Sequence, residues 1–203
     1  MARKPLNSRQ RRRRRIIFWI STVVVLIAAA FVTIEFELAH KVKDQFDIRT
    51  ARRHAENARL HAEKGEWNDA RRLALTAHML DPTSLDASRL LFDAATRTEW
   101  DQTQLIAVHR FLHEDSTMDD KLTVLNYFYQ LGEARYFAGL HDKLTDEEKA
   151  DQRTLFLHAR FLASNGAAPQ AEAIVREQLQ KNPEDGQFRG MLASVLLLPG
   201  QSE

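Results

Sequence analysis

Residues Gly65–Pro82, GEWNDARRLALTAHMLDP, decide the fold. A helix-breaking glycine opens the stretch, Ala70, Ala74 and Ala77 recur at i, i+4 and i+7, and Asp81-Pro82 stops it. That spacing sets three methyl groups on one helix face, where a second helix can approach closely. The punctuation returns down the chain. Gly132 and Gly166 lie 34 residues apart, and Gly65 to Gly132 is 67, two steps of about 33.5. The step between them lands on Thr98, and Trp67 has its counterpart in Trp100, 33 residues on. A unit of 33–34 residues built from two helices cannot bury its apolar face alone, so the pattern predicts a stack of such units.

Two copies carry the motif in detail. Ala58, Gly65, Trp67, Ala70, Ala74, Ala77 and Pro82 form one; Ala159, Gly166, Ala168, Ala171, Val175 and Pro183 form another, with Gln178 where a small residue is expected. In these residues the chain resembles the tetratricopeptide repeat (TPR) family over roughly 50–198. Between the two copies, 85–117 and 118–151 keep the period but have lost most of the small residues and both prolines, and read as degenerate repeats. The resemblance implies a right-handed superhelix of helix pairs with a concave groove that binds proteins or peptides. The expected fold is therefore all-α: an N-terminal transmembrane helix, then a TPR-like α-solenoid of about four helix pairs plus a C-terminal helix.

The chain has 203 residues, with 29 Lys+Arg against 28 Asp+Glu and a net charge of +1. The balance is local. Residues 1–15 hold eight basic side chains (Arg3, Lys4, Arg9 and Arg11 to Arg15) and no acid, so the remainder has 21 basic and 28 acidic residues, a net of −7. A basic tail on an acidic body points to a membrane or to nucleic acid. With no cysteine, disulfide scaffolds, thiolate metal sites and cysteine nucleophiles are excluded.

The segment after the tail selects the membrane. Residues 16–34, IIFWISTVVVLIAAAFVTI, run for 19 residues without a charge. As a helix they would measure about 28 Å, close to the ~30 Å hydrocarbon core of a bilayer. Twelve of them are Ile, Val, Leu or Phe, worth on the order of −4 to −7 kcal/mol of insertion in all. Eight basic residues precede this span, whereas 35–49 mix acids and bases. The positive-inside rule then puts the tail in the cytoplasm and the body outside it, facing the periplasm if the host is a Gram-negative bacterium. Cleavage as a secretory signal near Ala28-Ala29-Ala30 is the alternative, although apolarity continues through Ile34. Either route exports the body.

The division expected is a basic tail (1–15), a single-pass span (16–34), a juxtamembrane helix or linker (35–50), a repeat domain (51–198) and a short tail (199–203). In 35–50, Leu38, Val42 and Phe46 recur every four residues without Gly or Pro, so the span could run straight into the first repeat helix; Thr50 as an N-cap is the alternative. Helices are expected over 50–64, 67–80, 84–97, 100–113, 119–131, 134–144, part of 146–164, 168–181 and 185–198. Thr83-Ser84, Asp119-Asp120 and a Thr145/Glu148 capping box mark their starts. The last helix, with Met191, Leu192, Val195, Leu196, Leu197 and Leu198, is more apolar than the end of a stack should be.

No catalytic constellation is present: no phosphate-cradling glycine loop, no GxSxG, no SxxK, no HExxH. An enzyme is not expected, nor a cofactor. His109 and His113 stand four apart, as metal ligands do, but no third ligand matches them, and a solvated helix face explains them as well. Projecting the family's register places Arg52, Arg59, Ser88, Arg89, Phe92, Asn126, Tyr129, Phe156 and Arg160 along the concave face. Arginines among aromatics suit an acidic peptide or a C-terminal carboxylate. The competing reading makes Phe92 and Phe156 packing residues between repeats and the arginines ordinary surface. The expected partners are proteins or peptides, and lipid around 16–34; the acidic body argues against nucleic acid. An oligomerising subunit, associating through 16–34 and the apolar last helix, is the other function class.

Overall fold

The computed structural model describes residues 43–197, and among them every regular element is an α-helix. Helix α1 covers 43–63 within that range. It is followed by α2 (Trp67–Leu80), α3 (Leu85–Arg97), α4 (Thr103–Leu112), α5 (Met118–Gln130) and α6 (Ala134–His141). A short α7 (Asp146–Ala150) precedes α8 (Gln152–Ser164), α9 (Ala168–Lys181) and α10 (Gly186–Leu196). None of these helices is long and apolar enough to cross a membrane. The basic tail, the apolar run 16–34 and the final 198–203 lie outside the described residues.

One turn is used four times. Gly65, Gly132 and Gly166 take φ of 79°, 72° and 78°, and after each the next backbone N–H donates to the carbonyl five residues back: Glu66 to His61, Glu133 to Phe128, Ala167 to Leu162. This left-handed cap satisfies carbonyls that a helix end leaves open, and glycine adopts it without a Cβ clash. The fourth turn sits at Glu99, φ 50°, with Trp100 donating to Ala95. The expected landing point was Thr98, one residue early. The true spacing is 34, 33 and 34, and the second turn is closed by a glutamate where the others use glycine.

Each turn folds two helices into a hairpin, and the hairpins stack along the chain: α3 packs on α2 and α4, α5 on α4 and α6, α9 on α8 and α10. Non-neighbours meet as well, α8 with α5 and α10 with α8. The alanines chosen from sequence are buried as their spacing requires: Ala58, Ala70, Ala74 and Ala77 in the first hairpin, Ala159 and Ala171 in the last. The centre of the stack is aromatic instead, built on Phe92, Phe111, Phe128 and Phe137.

Several helix starts differ from expectation. Thr50 does not cap; it lies inside α1, and its hydroxyl donates to the Phe46 carbonyl at 2.9 Å. Helix α5 begins at Met118, so its cap is Thr117, whose hydroxyl accepts from Asp120 N–H while the Asp120 carboxylate accepts from Thr117 N–H. The Asp119-Asp120 pair sits in the first turn, not before it. The Thr145/Glu148 box forms as read, but only for the five residues of α7. Asp151 then breaks the backbone and caps α8 through Arg153 and Thr154 N–H, which splits the segment 146–164. In α10, Phe188 and Val195 are buried, and Met191 and Leu192 pack on the same cluster. Leu196 and Leu197 stay exposed, the latter 85%.

Candidate binding surface

The first helix of each hairpin (α1, α3, α5, α8) and then α10 form one continuous layer, and polar side chains tie it together step by step. Arg59 on α1 pairs with Asp86 on α3. Arg89 on α3 holds Asp120 on α5 with two bonds, 2.7 Å from Nε and 2.6 Å from a terminal nitrogen. Arg153 on α8 reaches back 2.6 Å to Asp119, and Gln152 on α8 donates to Asp185, the cap of α10. The layer's spacing is thus set by charge-assisted bonds as well as packing.

Two hollows open along this layer. The first, about 520 Å³, lies between α1 and the start of α3 and is lined by Arg52, Arg59, Glu56, Asp81, Asp86 and Asp115 among others. The second, about 250 Å³, lies between α5, α8 and α10, with Tyr129, Arg160, Ser164, Ala163, Met191, Ser194 and Val195 as its walls. In this cleft the Arg160 guanidinium lies 4.9 Å from the Tyr129 ring centre and 5.9 Å from that of Phe156. Among the described residues no carboxylate pairs with it. Tyr129 and Ser164 hydroxyls are 3.3 Å apart, and Ser164 donates to the Arg160 carbonyl at 2.8 Å. A cation set against two rings, beside hydroxyls and an apolar floor, has the parts needed to take a carboxylate next to an aliphatic side chain.

The residues read from sequence therefore separate into groups. Arg52 and Arg59 line the first hollow; Tyr129 and Arg160 line the second. Phe156 supports Arg160 and meets Phe188 edge-on at 5.6 Å. Asn126 is half-buried on α5 and lines neither hollow. Phe92 is a correction: it is 3% exposed and packs edge-on against Tyr127, so it belongs to the core. Arg89 is another, because its fork is spent on Asp120 and it is not free for a ligand. Ser88 is fully buried, its hydroxyl 3.2 Å from Nδ1 of both His78 and His109. Groove and core positions sit one residue apart on a helix, which is why a register taken from degenerate repeats misassigns them.

Asp120 carries no site signal in the sequence, yet its carboxylate is held from three sides. It is 1% exposed and bonds Arg89, Arg110 and Thr117; Arg110 in turn reaches Asp93 at 3.3 Å. Burial works to raise its pKa, but the Arg89, Thr117 and Arg110 bonds outweigh burial and hold the carboxyl far below the usual range. Ser164, Met191 and Ser194 were also missed. Ser164 is legible as the i+4 neighbour of Arg160, whereas Met191 and Ser194 join the cleft only through the packing of α10 on α8.

His109 stands among other imidazoles, with the His113 ring 5.8 Å away. The His109 ring meets His78 at 4.8 Å, and His113 Nε2 lies 2.6 Å from the Thr83 carbonyl. Among the described residues no three His, Asp or Glu side chains are arranged to hold a metal ion. Compared with protein-family models, curated proteins and solved structures, the chain gives no match.

Proposed function

We propose that this chain is a membrane-anchored scaffold of the TPR type that holds protein partners on the extracytoplasmic side. The reading rests on the cleft of α5, α8 and α10, where no carboxylate among the described residues pairs with Arg160 and Tyr129 and Phe156 flank it. Its ligand is a peptide carboxylate flanked by an aliphatic residue, the carboxylate on Arg160 and the aliphatic group over Met191 and Val195. The fourfold turn at 33–34 residue spacing supports the TPR-like arrangement, and the uncharged run 16–34 behind eight basic residues supports the anchor and its orientation.

A labelled peptide ending in Leu-Glu, titrated against the full chain in detergent, tests the cleft. Arg160→Glu is expected to weaken binding by about tenfold or more, the loss of one charge-assisted pair. Arg160→Lys should fall between, because a point charge does not form the planar fork. Equal affinity for all three proteins sinks the assignment. Exposed Leu196 and Leu197 favour self-association as the second reading. Sedimentation of the detergent-solubilised chain would support it by showing an oligomer that Leu197→Glu dissolves.

A further inference from the structure

In three of the four hairpins the last turn of the second helix, in α2, α4 and α6, carries a histidine: His78, His109 and His141. Cations are favoured at such helix ends, yet each of these rings is placed where a second imidazole stands against it. His78 meets His109 edge-on at 4.8 Å, with buried Ser88 of α3 bonded to both. His141 of α6 lies over His158 of α8 at 4.0 Å, backed by Phe137, whose ring runs nearly parallel to His141 at 6.1 Å.

We propose that these two imidazole contacts are acid-sensitive seams, one joining α2, α3 and α4, the other joining α6 to α8, and that protonation opens the stack at both. Two imidazolium rings at these separations repel, and half-buried surroundings screen them poorly. At the first seam the Ser88 hydroxyl has a single proton and is shared with the Ser84 carbonyl, so at least one imidazole donates from Nδ1. The hydroxyl oxygen can accept from both rings while donating to Ser84, so these bonds hold with or without charge, and it is the nearness of two imidazolium rings that opposes the second proton.

The charged neighbours act in both directions. Asp81 at the end of α2 favours the charged form of His78, while His109 of α4 and His113 just after it disfavour it. At the second seam Asp142 favours charge on both rings, and Lys149 of α7 opposes it on His141. Burial prevails, helped by the partner ring at His78 and His141 and by His113 at His109: all four pKa values are lowered, His141 to about 4, chiefly by burial and then by His158. A histidine whose pKa is depressed in the closed state contributes cohesion above the free value of about 6.5 and loses it as pH falls toward the depressed one. The opening window of the second seam is thus about pH 6.5 to 4, and the first seam opens from the same upper end as pH falls. The Asp120 cluster, also depressed, gives way only below the ordinary aspartate range.

Hydrogen exchange of the full chain in detergent, corrected for the intrinsic pH effect, reads the opening directly. Between pH 7 and pH 5, amides of α6 and α8, and those of α2 and α4, should exchange about tenfold faster relative to the α9 amides. In His141→Gln/His158→Gln the α6–α8 response should flatten while that of α2–α4 persists. Should that variant fail to fold, imidazole titration of the wild-type chain decides: at least one ring of each pair titrating below pH 5.5 supports the seams. Four rings titrating near 6.5, or a uniform exchange response, overturns them.

Discussion

The first hairpin and the middle of the stack solve the same packing problem with opposite materials. Between α1, α2 and α3 the contact surface is alanine: Ala51, Ala55, Ala58, Ala70, Ala74, Ala77 and Ala87 are all buried. Backbones there can approach closely, and the interface needs little else. Among α3, α4, α5 and α6 the alanines thin out, and phenylalanines take the space, with the Arg89–Asp120–Arg110 cluster set among them. Small side chains fix a helix separation through steric limits. Large ones must be matched to each other and to the buried ions, so the middle repeats keep their period while losing their motif. A buried ion cluster is weak evidence for stability in itself, but removing one member leaves the others uncompensated.

The largest expected effect breaks the middle. Asp120→Ala leaves Arg110, 9% exposed, with only Asp93 at 3.3 Å and releases the whole Arg89 fork, and should cost about 3–5 kcal/mol in urea unfolding. A cost below about 1 kcal/mol would mean the cluster is dispensable and the aromatic packing alone holds these helices. Next comes the alanine seam. Ala74→Leu forces added methylenes into a site with no exposed surface and should cost about 1–3 kcal/mol. If it is tolerated, the first hairpin is as adaptable as the centre and the contrast dissolves. The smallest effect sharpens the contrast in the other direction. Glu99→Gly gives the second turn the residue its three counterparts have, and should raise stability by about 1 kcal/mol in the same measurement.

These regions also differ in how far they could be read in advance. Where Gly65, Trp67, Ala70, Ala74 and Ala77 stand in register, helix ends came out at Trp67 and Leu80, as expected. The last full hairpin behaves likewise, with α9 spanning 168–181 as its motif predicts. In the middle, the turn at Glu99 was placed one residue early because no glycine marks it, and the start of α4 was placed three residues early at 100 in place of 103. The candidate site suffered most. Arg89 and Arg160 look alike in sequence, each an arginine on the first helix of a pair with an aromatic nearby. One meets a carboxylate from the next helix and the other does not.

Local chemistry alone determined the all-helical class, the 33–34 residue rhythm, the uncharged run behind a basic tail and the absence of catalytic motifs. These follow from which residues break, cap or line a helix, and such preferences act within a turn or two of the chain. Tertiary structure decided which arginine stays free, which phenylalanines vanish into the core and which histidines meet. Those outcomes depend on partners about 17 to 35 residues away, such as His158 for His141, Asp120 for Arg89 and His109 for His78. Only the separation and rotation of packed helices bring such partners together.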